Sequence, residues 1–382
     1  MDLVLSTNTL GLGGSESYLL TVAEQVDRLG HRVTLHARAF GPMADLARER
    51  GLNVVDDPGL PAACDGVLVQ DAAVAFELAA RYPEVPQVFV AHSVIYDLQS
   101  PPQLPGLTRC AVALNDRVAN RLRSLAVELD VVRLHQPIDI ERFGPGGPLP
   151  ARPARLLLLS NRVDEGRRSL ARACARNAIE LTEVGVGGEL TADPQAALQR
   201  AHIVVGYGRS VLEAMACGRA AFVFDHRGGD GWVTGERYEA LEADGFAGAA
   251  GPGAVDPDAL AATLAGYRPT MGAVNRDLVA THHRADAHAA ALVELIAPAA
   301  APARAERGPL DEMARLVRLQ YRAQEQLADA NRISAGLRAE NDRLEAENAE
   351  LRRALRSRSV RLATAPRRLL ARASAALRRG RR

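Results

Sequence analysis

His202-Ile-Val-Val205, Gly206-Tyr-Gly-Arg-Ser-Val-Leu-Glu-Ala-Met-Ala-Cys-Gly218 and Ala221-Phe-Val-Phe-Asp225 follow one another closely in the chain. A short apolar run, a glycine turn, a helix-length stretch and a second apolar run make a strand–helix–strand unit. Ser210 and Glu213 stand as S-x-x-E, the spacing of a capping box, and Gly218 supplies the helix stop. Amides near Ser210 and Val211 at such a helix start can receive a diphosphate, and Glu213 can accept hydrogen bonds from ribose hydroxyls.

The same alternation extends outward over residues 1 to about 297, the pattern of a parallel α/β sheet. Asp2-Leu-Val-Leu-Ser6 reads as the first strand, a helix follows to Leu29, Gly30 stops it, and His31-Arg-Val-Thr-Leu-His-Ala37 is the second strand. Val67–Gln70, Gln87–Ala91 and Cys110–Leu114 add strands before a Gly- and Pro-rich linker that starts after Phe143. A second set begins with Leu156–Ser160 and Ile179–Gly185. Two doubly wound, Rossmann-like α/β domains facing a cleft are expected, over 1–145 and 151–297, with a linker at 298–310.

Composition supports globular domains. The 382 residues are 47% hydrophobic and 24% charged, and the longest apolar runs are strand-length, too short to cross a membrane. The N-terminus lacks the basic and long apolar regions of a signal peptide, and Cys64, Cys110, Cys174 and Cys217 form no disulfide or zinc pattern, so a cytoplasmic location is expected. The net charge of +1 hides an asymmetry: residues 351–382 carry 12 arginines and no acid. The rest of the chain holds 35 basic against 46 acidic residues, and every basic residue is arginine.

A long helix is expected over 311–356. Asn341 and Asn348 at a, with Leu337, Leu344 and Leu351 at d, favour a parallel homodimeric coiled coil over a solitary solvated helix. The basic tail at 357–382, with Pro366 inside it, suits an anionic membrane surface at the inner face; the competing reading is a solvated tail that touches nucleic acid or nothing, and with no aromatic residue in the tail nucleic acid is not the expected partner.

The loop Gly11-Leu-Gly-Gly-Ser-Glu16 opens the first helix but is not a nicotinamide fingerprint, since G-x-G-x-x-G would need glycine where Glu16 stands. Read alone, it is as well explained by a tight turn.

Taken in order, several segments resemble those of retaining GT-B glycosyltransferases, the large nucleotide-sugar-dependent family four type. Leu212-Glu-Ala-Met-Ala-Cys-Gly218 resembles the family signature, Gly-Gly-Ser-Glu16 its N-terminal glycine loop, and His92 its histidine after a strand. Gln136-Pro-Ile-Asp-Ile-Glu-Arg-Phe143 is similar to the segment before the second domain, Ser160-Asn-Arg-Val-Asp-Glu-Gly166 to the one after its first strand, and Asn275 to Ile296 to the closing helix. The resemblance implies transfer of a sugar from a nucleotide-diphosphate donor to a polysaccharide or lipid-linked acceptor, with retention and without metal or other cofactor. It further implies that Gly13, Gly14, Arg162, Arg167, Gly208, Ser210, Val211 and Glu213 bind the donor, with His92 on the transferring sugar. The family's E-x7-E pattern would place its first Glu at Val205. An eroded scaffold serving as a coiled-coil-tethered binding subunit is therefore the alternative, and an epimerase of the same architecture a third.

Other features receive plainer expectations. His282 and His283 beside Asp286 are expected to pack or be solvated rather than bind metal, and Arg117, Arg121 and Arg123 to face solvent. Asp225-His-Arg-Gly-Gly-Asp-Gly-Trp-Val233 reads either as a ligand-facing turn or as an irregular turn plugged by Trp232.

Overall fold

In the computed structural model, residues 1–94, 99–125, 129–160, 165–185, 191–225, 228–249, 256–297 and 310–379 are described. The first sheet is built from β1 (Asp2–Leu10), α1 (Gly14–Arg28), β2 (Arg32–Phe40), α2 (Pro42–Glu49) and β3 (Asn53–Val55). It continues through β4 (Gly66–Val69), α3 (Ala72–Arg81), β5 (Gln87–Ala91), β6 (Cys110–Ala113), α4 (Asp116–Arg123) and β7 (Val131–Arg133). Its seven strands lie in the order β3-β2-β1-β4-β5-β6-β7, all parallel. The winding reverses between β1 and β4, which opens a crevice at their carboxyl ends.

The second sheet uses β8 (Arg155–Ser160), α5 (Glu165–Arg176), β9 (Glu180–Gly185), α6 (Gln195–Arg200), β10 (Ile203–Gly206), α7 (Arg209–Ala216), β11 (Ala220–Asp225) and β12 (Gly228–Trp232). Its order is β12-β11-β10-β8-β9, parallel except for β12, which runs antiparallel to β11. The glycine-rich stretch read as a turn is thus an edge strand. A Cβ on Gly229 would stand 2.2 Å from the Val223 carbonyl oxygen, so only glycine fits. Trp232 is the plug: it is buried edge-on to Phe222 and donates from Nε1 to the Thr263 carbonyl.

Helices α8 (Tyr238–Asp244), α9 (Pro257–Leu264), α10 (Met271–His282) and α11 (Ala285–Ile296) follow. The single closing helix expected over Asn275 to Ile296 is in fact two. At the break Ile138 donates to the His283 carbonyl and Ala285 to the Ile138 carbonyl, so the backbone leaves the helix to pair with the interdomain segment. The stretch 151–297 also does not pack as one body. Ala289, Leu292 and Ile296 of α11 are buried with Leu3, Leu5, Leu68 and Val88 of the first sheet. Gly66 is matched to this packing, because a Cβ there would meet Ile296 Cγ2 at 2.0 Å.

The last helix, α12 (Leu310–Arg379), begins inside the compact unit Met1–Val317, where Leu310 and Ala314 join the core around α3 and β5. The second unit, Arg318–Arg382, is helical through Pro366 to Arg379. Among the described residues no helix is long and apolar enough to cross a membrane.

The chain passes between the sheets at residues 134–139 and again at 283–285, and two buried histidines clamp the crossings together. His288 Nδ1 lies 2.9 Å from the His135 carbonyl and His283 Nδ1 2.8 Å from that of Gln136. A carbonyl only accepts, so each ring carries its proton on Nδ1, and its Nε2 accepts from Tyr18 and Tyr238 respectively. Burial pushes the two imidazoles down, His288 to about 3 and His283 to about 4. Their unfolded values are near 6.5, so their contribution to stability is complete above that pH and is lost as pH falls toward the folded values. Each group contributes a slope of about 1.4 kcal/mol per pH unit in that window. His288→Gln is therefore expected to flatten the fall in urea-unfolding free energy between pH 6 and pH 4.5 by about that slope; an unchanged slope would contradict the assignment.

Candidate functional site

A cavity of about 430 Å³ lies between the carboxyl edges of the two sheets. The first sheet contributes Gly13, Gly14 and His92, and the second contributes Gly208, Arg209, Ser210 and Glu213.

The start of α7 differs from the capping box expected of it. Gly208 is the N-cap, with φ 59 and ψ −131, a conformation that favours glycine, and its amide donates to the Phe246 carbonyl. Ser210 is therefore already inside the helix. Its hydroxyl turns back on Tyr207, donating to the carbonyl at 2.8 Å and accepting from the amide at 3.2 Å. Gly206 makes room for that turn, since a Cβ there would stand 2.5 Å from Ser210 Oγ. Val211 is not brought to the cavity: its side chain is core and its amide is bonded to the Gly208 carbonyl. The helix start directed at the cavity is thus formed by Arg209 and Ser210.

Glu213 does not cap either, because a nearer cation takes it. Arg209 Nε donates to Glu213 at 2.8 Å, Nη1 to the Pro137 carbonyl at 2.8 Å and Nη2 to Thr21 Oγ1 at 2.8 Å. Both side chains are nearly fully buried. Burial raises the Glu213 carboxyl above its usual range, while the Arg209 charge pulls it back. The i, i+4 spacing of Arg209 and Glu213 is the sequence signal for this pair. Val205, where E-x7-E would need a carboxylate, is packed with Leu158, Phe222 and Trp232 in the core of the second sheet. Valine is the fitting residue there.

Beyond β5, His92 Nε2 is 2.7 Å from Gln70 Oε1, and the ring meets Tyr18 edge-on at 4.8 Å. Burial and the Arg209 charge push the imidazole down to about 3, so it is neutral at physiological pH. Gly13 is the N-cap of α1 and Gly14 its first residue. Arg167 is not at the cavity; its Nε donates to Glu183 on β9 at 2.6 Å. Arg162 lies outside the described residues. Arg50, Arg142 and Arg117 also line the cleft, and they pair with Asp193, Glu24 and Asp244 respectively. Arg117 thus faces the cleft and binds Asp244 while its side chain stays 35% exposed.

His135, Glu242 and His283 place one potential ligand atom each within 4.8 Å of one another. Their own partners account for the arrangement. Arg133 Nη2 contacts both Glu242 oxygens at 2.5 and 2.6 Å, His135 Nδ1 lies 2.9 Å from one of them, and Tyr238 occupies His283 Nε2. Burial alone would raise Glu242, but the bonds from His135 and Arg133 outweigh it and hold the carboxylate low. A guanidinium already supplies the positive charge a metal would bring.

No family model and no curated protein matches the sequence. Solved structures do match. HepE from Anabaena, in complex with UDP and glucose, has a TM-score of 0.54 at 13% identity, covering 76% of this chain and 98% of that one. A glycosyltransferase from Rickettsia africae gives 0.53 at 11% identity over 77% and 97%. An alpha-glucosyltransferase in complex with UDP and a 13-mer DNA gives 0.51 at 12% identity over 78% and 99%. At these identities the likeness speaks for architecture. The chain has the GT-B fold of glycosyltransferases, two α/β domains across a cleft.

The Arg209–Glu213 pair predicts strong coupling. Removing one partner leaves a buried charge uncompensated, at a cost of about 3–5 kcal/mol. Arg209→Met and Glu213→Gln should each destabilise the protein, and the double variant should be less destabilised than their sum in a denaturant double-mutant cycle. Additive losses would show that the two side chains act separately.

Proposed function

We propose that this chain is a retaining glycosyltransferase, transferring a sugar from a nucleotide-diphosphate donor to a glycan or lipid-linked acceptor. The observation that carries the reading is the facing of two sets of groups across one cavity: Glu213 and the start of α7 on one side, His92 and the Gly13–Gly14 turn on the other. The volume is that of a small-molecule site. In this reading the amides at the head of α7 receive the diphosphate, Glu213 holds the ribose, Arg162 adds a clamp and neutral His92 contacts the transferring sugar. The acceptor attacks on the face from which the diphosphate leaves. Positioning and charge on the leaving group then do the chemistry, with arginine and a helix start in place of a metal.

HepE is solved with UDP and glucose, so UDP donors are the first to test. A panel of radiolabelled nucleotide sugars scored for hydrolysis and transfer should show turnover. Glu213→Ala should weaken nucleotide binding by roughly 10- to 150-fold, the cost of a lost charged hydrogen bond. One observation favours a second reading: Arg209 already occupies Glu213, as a catalytically eroded binding scaffold would allow. Nucleotide binding without turnover of any sugar would select that scaffold; loss of both would sink the site.

For the second unit we propose a parallel homodimer and peripheral attachment at the inner face of a membrane. Leu337, Leu344 and Leu351 at d are 66%, 44% and 56% exposed on a single chain, and burying each side chain fully is worth about 1.5–3 kcal/mol. Asn341 and Asn348 at a set the register. The arginines from Arg352 onward supply attraction to anionic headgroups, about 1 kcal/mol each near the surface. Full-length protein should sediment as a dimer and float with anionic vesicles, less so in high salt, while a chain ending at Arg356 should remain dimeric and stay down. A monomer at micromolar concentration contradicts the first half, and flotation of neither protein the second.

A further inference from the structure

Gln70 sits one residue past the carboxyl end of β4, beside the topological switch point, and is 3% exposed. Its Oε1 is 2.7 Å from His92 Nε2, and its own Nε2 is buried without a hydrogen-bond partner among the described residues. A buried amide left half-satisfied is destabilising, so its orientation has to be fixed by the half that is bonded. With Oε1 turned to the ring, the 2.7 Å contact has the length of an N–H···O bond.

An amide oxygen can only accept, so the ring must donate from Nε2, and its lone pair is then on Nδ1. This is the opposite tautomer from His283 and His288, whose Nδ1 atoms both lie against backbone carbonyls. The ring is also fixed in plane by Tyr18, whose own hydroxyl is held by His288. We propose that Gln70 is a positioning residue that locks His92 as the Nε2–H tautomer, so that the ring presents Nδ1 to the cleft as a hydrogen-bond acceptor. The ligand class this selects is a hydroxyl donor. Resting on the transferase reading above, that hydroxyl belongs to the transferring sugar. A neutral ring with a fixed lone pair binds a hydroxyl without exchanging its proton with solvent, which is a positioning role and not an acid–base one.

Nitrogen-15 spectra of histidine-labelled protein decide the matter, with His92 assigned by the signals lost in His92→Asn. At pH 7 the wild-type ring should show a protonated Nε2 and an unprotonated Nδ1. Gln70→Leu, which removes the acceptor, should give mixed tautomers, and Gln70→Glu, which keeps one, should restore the wild-type pattern. A protonated Nδ1 in the wild-type protein overturns the proposal, as does a tautomer unchanged in Gln70→Leu. If Gln70→Leu does not fold, the wild-type and Gln70→Glu spectra carry the test. Addition of UDP-glucose separates this from the transferase reading: donor binding should shift the Nδ1 resonance, while failure of all nucleotide sugars to bind counts against the transferase and leaves the ligand-free tautomer standing.

Discussion

One buried guanidinium holds the site together. Arg209 stands at the head of α7 and spends its donors in three directions: on Glu213 one turn along its own helix, on the Pro137 carbonyl of the interdomain segment, and on Thr21 of α1. An isolated charge at that depth costs several kcal/mol, so the carboxylate, the carbonyl and the hydroxyl are each required to keep it there. The start of α7, the crossing between domains and the first helix are consequently tied to one another through one side chain. Its field also reaches His92, helping to keep that ring neutral.

Helix α1 is the other partner in this arrangement, and its sequence is divided accordingly. Leu19, Leu20, Val22, Ala23 and Val26 face the core of the first sheet. Tyr18, Thr21, Gln25 and Arg28, spaced by three or four, form a polar edge that meets His288, Arg209 and, for the last two, Asp139. Asp139 is itself held by the amides of Glu141 and Arg142, and Arg142 returns to Glu24 on the same helix. The segment Gln136–Phe143 therefore earns its place by tying α1 to the second domain. None of these groups depends on a ligand to be satisfied.

Much of this was legible in the sequence because local signals and tertiary packing agree. The central strands of both sheets, the stop at Gly30, the glycine turn before α7 and the facing of two domains all rest on apolar runs punctuated by glycine, whereas the short or glycine-rich edge strands β3, β7 and β12 carry no such run. The failures occurred where a long-range partner overrode a local rule. Ser210 and Glu213 have capping-box spacing, but Gly208 starts the helix earlier and Arg209 claims the carboxylate. Asn275 to Ile296 has one helical pattern, but Ile138 pairs with the backbone at its middle. Val205 looked like a lost ligand and is a core residue. Arg117 looked solvated because Asp244 lies 127 positions away. Gln70 gave no signal, since only the fold puts it against His92.

The charge states around the cavity constrain the chemistry that the GT-B cleft could perform here. Glu213 is held in an ion pair, and His92 is kept neutral, so the ring does not titrate near pH 7. Asp71, next to Gln70, is raised to about 6 by burial even though it accepts from the amides of Asn8 and Val74 as the N-cap of α3. His92 and Gln70, by contrast, stand at this edge of the first sheet as a fixed donor and acceptor. On the second sheet, the start of α7 directs the positive end of its helix dipole at the cavity wall, beside an Arg209 whose charge Glu213 compensates. A reaction suited to that distribution develops negative charge on a departing group beside α7 while neutral hydroxyls are held at His92. Departure of a diphosphate from a sugar has that form, because its barrier is lowered by positive charge placed in advance at the leaving group.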